Sequence, residues 1–476
     1  MRAGLTLGAN YWWAEARAER MQKAIDLQTN LTEQANHALQ AARGRTLEVA
    51  GSASEEMRVV FESDDFSVSA SGTDSRLGLR SIQDGRVGFV CTNSIDPAKI
   101  QAAVDESFQM GHLSPPSPHY SIAEATDTSD SEFSQQDGAL LDMREHEIIG
   151  LAERVIEEAR TDPRIRLDRV EVALIRDTKI LMNTNGLSRT YSRIYVDWAA
   201  MGMARDGEEV TSFDYDGAAA FKASDIPARL SASMERFRNS VLGSLHPRAG
   251  KSYKGKVLLH PALVRQFLIG TVTSNSSGKS QQDGTSPWKD RLGEMVAHPA
   301  LSVFEEPTNL ERLEAYTPFD REGLLTRRHD LVLDGRLNHI GQNLFSAARG
   351  SCQPTANASG GATSTPGVGF FNTGLSLEPI ANSDLDQLLG NMGSGLLLKR
   401  FSGNADPSSG HFSGVAKNSY WIENGEIAYP VQEIMVSGNL FELIKELVAA
   451  TAEQYEIMGG AKAPYVLVDG MSVTAG

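Results

Sequence analysis

The sequence predicts an α+β protein in two parts. An N-terminal domain of hairpins and flanking helices spans residues 1–245, and a β-rich, glycine-dense C-terminal domain spans 250–476. Three observations carry this reading. A chain of 476 residues exceeds what one hydrophobic core usually serves. Asp84-Gly85 and Asn424-Gly425 each sit between alternating apolar runs, the strongest local signal for a hairpin. The Gly-, Pro- and Lys-rich stretch HPRAGKSYKGK then divides a helix-rich half from one with few long helical patterns.

In chain order, residues 11–43 place Ala14, Ala18, Met21, Ile25, Ala35, Ala38 and Leu39 at helical spacing, and Gly44 stops the helix. Strands are expected at 46–51 and 57–63, then a hairpin of 76–80 and 86–91 around Asp84-Gly85. Cys91 is expected as a small buried hydrophobe of that strand. Asp96-Pro97 opens a helix with Ile100, Val104 and Phe108 inward. Residues 113–137, rich in Pro, Ser and acid, predict a surface loop or lid. A helix at 140–159 ends before Asp162-Pro163. Strands follow at 169–175, 180–183 and 188–204, the last two joined through Asn185-Gly186. Pro227 begins a helix over 226–240.

Beyond the boundary, residues 350–369 lack the apolar mass for a core and predict a long loop. Trp421, Ile422, Ile427, Tyr429 and Val431 alternate about Asn424-Gly425. Pro430 cannot donate to a ladder, so that second strand should be an edge or should bulge. A strand at 433–436 follows. Asn439 then caps an expected helix carrying Leu440, Leu443, Ile444, Leu447 and Val448, ended by Gly459-Gly460.

The formal net charge of −16 argues against a nucleic-acid backbone or an anionic membrane as the main partner. No apolar run approaches membrane-spanning length, and the first residues reach charge too early for a secretory signal. Cys91 and Cys352 form neither a disulfide framework nor a CxxC site, which fits a reducing compartment and a cytoplasmic location. The SSGKS around Lys279 lacks the glycine of a phosphate loop five residues before Gly278, where Thr273 stands. No GxSxG elbow and no HExxH is present.

Three stretches carry a family resemblance: WIENGEIAYPVQEIMVSGNL, GGATSTPGVGFFNTG and APYVLVDGMSVTAG. They resemble the TldD/PmbA family, once described as modulators of DNA gyrase, and within it the PmbA or TldE branch. RLGLRSIQDGRVGFVCTNSIDPAKI is similar to the family's N-terminal domain. The resemblance implies a subunit of a zinc-dependent peptidase acting on unfolded or linear peptides, such as leader peptides of modified peptide precursors.

The catalytic branch opens a helix with HExxxH, two zinc-binding histidines and a glutamate that activates water. The third ligand is a cysteine near the C-terminus. Here the matching stretch is KVLLHPALVRQFLIGTV. His260 holds the first position, Pro261 replaces the glutamate, and Arg265 replaces the second histidine. The C-terminal stretch has no cysteine. Proline offers no proton acceptor, and a guanidinium has no lone pair for a cation. The resemblance therefore implies no catalytic residue and no metal in this chain, with zinc carried by a TldD-type partner. The alternatives are a homodimer that binds peptide or ligand without cutting, and an independent hydrolase using another group near His260 or Cys352.

Overall fold

The computed structural model describes residues 27–62, 65–125 and 130–475, so most of the helix expected at 11–43 lies outside them; its remainder is helical over 27–41. The N-terminal half is one sheet of very long strands. In spatial order these are Arg86–Thr92, Asp65–Gln83, Thr46–Glu62, Ile165–Asn183, Ser188–Asp206 and Asp130–Gln135. Asp214–Ala220 also pairs with Ser188–Asp206. All pairings are antiparallel except that of Asp130–Gln135, which runs parallel to its neighbour inside what the sequence predicts as a loop.

The strands expected at 46–51 and 57–63 are one strand, and those at 169–175 and 180–183 are another. Polar residues such as Ser52–Glu56 break the apolar pattern. Their backbone groups are nonetheless paired on both sides of Thr46–Glu62, so the ladder continues through them. The length lets one strand serve two cores. Leu47, Val49 and Ala53 pack with the 27–41 helix and with Ile100, Val104 and Phe108 of Pro97–Gly111. Farther along, Val59 and Phe61 join the core of Glu145–Ala159 and Ile226–Gly243. The helix expected at 140–159 is split, with a short Gly138–Asp142 turn capped by Asp137 before the main helix. Cys91, expected to be buried, is exposed. The buried residue of its strand is Gly88, where a Cβ would stand 1.7 Å from the Ser107 carbonyl oxygen.

In the C-terminal half a ten-stranded sheet runs Arg400–Ala405, His411–Lys417, Ile434–Asn439, Val466–Thr474, Tyr253–Leu259, Gly395–Leu398, Tyr420–Glu423, Glu426–Pro430. Leu447–Thr451 and Ala381–Ser383 extend it from Val466–Thr474. Asn424 (φ 53°) and Gly425 (φ 80°) form the expected tight turn. Pro430 lies on the terminal strand, where a missing donor costs no ladder bond. The helix expected after Asn439 lasts one turn, Leu440–Leu443. Leu447–Thr451 is a strand, because the backbone there pairs with Val466–Thr474. Gly459 and Gly460 instead make the turn between Tyr455–Glu456 and Lys462–Ala463. Among the described residues no helix is long and apolar enough to cross a membrane.

A buried ionic network ties the halves together. Glu48 accepts from Arg80 Nε (2.9 Å) and Nη2 (2.7 Å), and from Arg321 Nη1 (2.8 Å) across 273 residues of sequence. Glu322 lies 3.7 Å from Arg80 and accepts from the Leu344 amide at 2.7 Å. Asp320 accepts three backbone N–H groups. Two guanidiniums thus face three carboxyls, one more than they neutralise. Burial pushes the Glu322 carboxyl above its usual range, the charges of Asp320 and Glu48 adding to the effect. A raised acid stabilises the fold at low pH and loses that contribution as pH climbs through its folded value. Glu322→Gln keeps an acceptor for Leu344 and removes the titration. Its stability relative to wild type should therefore rise between pH 5 and pH 9, by about 1 kcal/mol or more. Urea unfolding at both pH values checks this, and a constant difference would contradict it.

Candidate functional site

The strand Tyr253–Leu259 sits between Val466–Thr474 and Gly395–Leu398, and Val257, Leu258 and Leu259 are fully buried. A central strand covered on both faces calls for such an unbroken apolar run. It delivers His260 to the start of a helix. That helix begins as Pro261–Val264, continues through a π-turn at Arg265–Ile269 and ends as Gly270–Asn275. Pro261 suits the first position, where its missing N–H breaks no bond. π-turns are rare and concentrate at functional sites.

His260 acts as the cap. Its Nδ1 accepts the Ala262 amide at 3.2 Å, which places the ring proton on Nε2 and leaves no lone pair free. Tyr465 packs edge-on to the ring at 5.3 Å. Burial, with the charge of Lys399 adding to it, pushes the His260 pKa down to about 3. The unfolded ring accepts a proton near pH 6.5 and the folded ring resists it, so acidification below that value costs stability. NMR of the imidazole signals should show His260 unprotonated from pH 8 down to pH 5. A midpoint inside that window would contradict the placement.

Arg265 is anchored on Thr373. Nη1 donates to the Thr373 carbonyl at 2.8 Å and Nη2 to its hydroxyl at 3.3 Å. Arg312 donates to the same carbonyl at 3.2 Å, bringing a second guanidinium to the spot. Burial, helped by Arg312, lowers the Arg265 pKa to about 10, so it stays charged at neutral pH. Lys399 adds a further cation near His260. It donates to Ser240, whose hydroxyl donates to Asp214.

Zinc needs several unprotonated N, O or S donors converging on one point. One imidazole with its lone pair engaged, a proline and an anchored guanidinium do not fit it. Among the described residues no group of three or more His, Cys, Asp or Glu is arranged to hold a metal. The structure does bring together the stretches that the resemblance implies. His260, Pro261 and Arg265 lie on one helix start, and Tyr465 of the C-terminal stretch reaches His260. Arg312, Thr373 and Lys399 were not singled out from sequence. They come from loops and strands far along the chain, and no local spacing links them to the helix.

Residues 252–475 match the PmbA/TldA metallopeptidase C-terminal domain, 138–241 the central domain, and 47–111 domain 1. The chain belongs to the PmbA/TldD family. Metalloprotease PmbA of Escherichia coli O157:H7 is 26% identical over 447 residues, 91% of this chain and 94% of that protein. TldE from Thermococcus kodakarensis superposes with a TM-score of 0.78 at 19% identity, over 93% of this chain and all of that one. A Thermotoga maritima protein described as a modulator of a DNA gyrase gives 0.78 at 24% identity, with the same coverage. The likeness to both structures is one of fold. The PmbA/TldD C-terminal-domain match includes the strand and helix around His260, and the side chains there decide what this chain can do.

Proposed function

We propose that this chain is the PmbA/TldE-type subunit of a TldD/TldE-like zinc metallopeptidase complex in the cytoplasm. It carries no zinc of its own. It shapes the channel in which a TldD-type partner's zinc cuts unfolded or linear peptides, such as leader peptides of modified peptide precursors. The observation that carries this reading is Arg265 locked to Thr373 where the family's second histidine belongs.

A peptidase that cuts extended chains must hold them extended, and a sheet edge does so through backbone groups with little demand on side chains. The terminal strand Glu426–Pro430 pairs with a sheet neighbour on one side only; on the other, the Arg248 amide donates to the Pro430 carbonyl at 2.9 Å, and Ile427 farther along is exposed. These features support a peptide-holding role but name no sequence preference. The test is to add the purified chain to a TldD-type partner and a linear peptide. Faster cleavage in the mixture is expected; equal cleavage by the partner alone would overturn the reading.

A further inference from the structure

A cleft of about 520 Å³ opens between the two halves, and none of His260, Pro261 and Arg265 lines it. Its floor is one row of side chains across four adjacent strands. Ser52 pairs with Arg76 on one side and Lys179 on the other, and Lys179 pairs with Tyr191. Direct cross-strand neighbours share a face, with Cβ atoms about 5 Å apart, so the small Ser52 leaves a gap between two cationic side chains. The roof comes from the C-terminal half, including Tyr316 and the loop at Gly360 and Gly361. Tyr316 packs on Tyr191 with ring centroids 5.7 Å apart.

The two cations differ in their pairing. Arg76 donates to Asp74 at 2.8 Å. Arg193, near Lys179, is satisfied by Asp177 at 2.9 Å. Lys179 itself has no hydrogen-bond or ion-pair partner among the described residues. It stays open to solvent within the cleft. The crowding walls lower its pKa below the usual lysine value, with the Arg193 charge adding to the effect. Arg321 and Asp320 also line the cleft, but Arg321 is paired with Glu48 and Asp320 is held by three backbone amides. Of the rest, Lys179 and Arg76 against Asp74 leave one net positive charge, which a monoanion balances and a dianion exceeds. Partial exclusion of water strengthens that attraction over its value at an open surface.

We propose that this cleft binds a carboxylate, seated over Ser52 between Lys179 and Arg76, borne either by the C-terminus of a short peptide or by a small free acid. The site stands apart from the degenerate metal position, so its failure and that of the peptidase reading are separable.

The test is competitive acetylation of the full-length chain, read lysine by lysine by mass spectrometry, with exposed Lys251 as reference. The probes are N-acetyl-trialanine, its C-terminal amide, acetate and inorganic phosphate. At least threefold protection of Lys179 by N-acetyl-trialanine or acetate, absent with the amide, is expected. Whichever protects at lower concentration identifies a peptide end or a free acid as the source. Arg76→Gln, at an exposed position, should raise the half-protecting concentration at least fivefold. The proposal is overturned if neither carboxylate protects, if the amide protects equally, if phosphate protects at lower concentration than both, or if Arg76→Gln changes nothing.

Discussion

Replacing Glu48 by alanine should lower the unfolding free energy by about 3–5 kcal/mol, the usual cost of breaking a buried ion pair from one side. Glu48 is fully buried and answers Arg80 and Arg321 at once. Without it two buried guanidiniums face each other, and Glu322, 3.7 Å from Arg80, is left as the nearest carboxyl. The loss should also uncouple the halves, because Arg321 belongs to the C-terminal half and Glu48 to the N-terminal sheet. Denaturant unfolding followed by tryptophan fluorescence should therefore show a broader or split transition. Trp198 reports the N-terminal core, and Trp288 and Trp421 the C-terminal one. The exposed pair Lys251–Glu423, 3.4 Å apart, is the control. Lys251→Ala should cost less than about 0.5 kcal/mol. Equal losses for the two variants would show that the network does not join the halves.

The second large effect is expected in catalysis by the mixed proteins. If this chain holds the peptide against the partner's zinc, its omission should lower turnover of a linear peptide by about a hundredfold, the scale of a substrate misplaced by an ångström. His260→Ala in this chain should leave the mixture within about twofold of wild type if that imidazole serves, as proposed, only as the cap that accepts the Ala262 amide. A hundredfold loss from His260→Ala would make the ring part of the chemistry and refute its assignment as a structural remnant.

Much of the fold was legible where a few neighbouring residues decide the geometry. Asp84-Gly85 and Asn424-Gly425 form tight turns with both residues in the left-handed region. At Asn185-Gly186 the same dipeptide signals a hairpin, but only Gly186 is left-handed. There the Asn183 side chain accepts the amides of Asn185 and Leu187 and closes a longer loop. Local chemistry could not report the remote partners that turn Leu447–Thr451 into a strand, nor those that carry the ladder through Ser52–Glu56. The replacement of two metal-site positions was visible from the family resemblance, which sets Pro261 and Arg265 where the catalytic branch has a glutamate and a histidine. What fills the space was not, since Thr373, Arg312 and Lys399 meet the helix only through the fold. Cys91 is exposed rather than buried: a short strand's pattern does not say which face a helix covers. Gly88 answers that, by admitting Ser107 to van der Waals contact.

Metal analysis of the isolated chain decides whether the helix start at His260, Pro261 and Arg265 can hold zinc. After equilibration with zinc and removal of the excess, far less than one zinc per chain and no hydrolysis of linear peptides are expected. One tightly held zinc per chain, with peptide hydrolysis lost on chelation and restored on readdition, would contradict it.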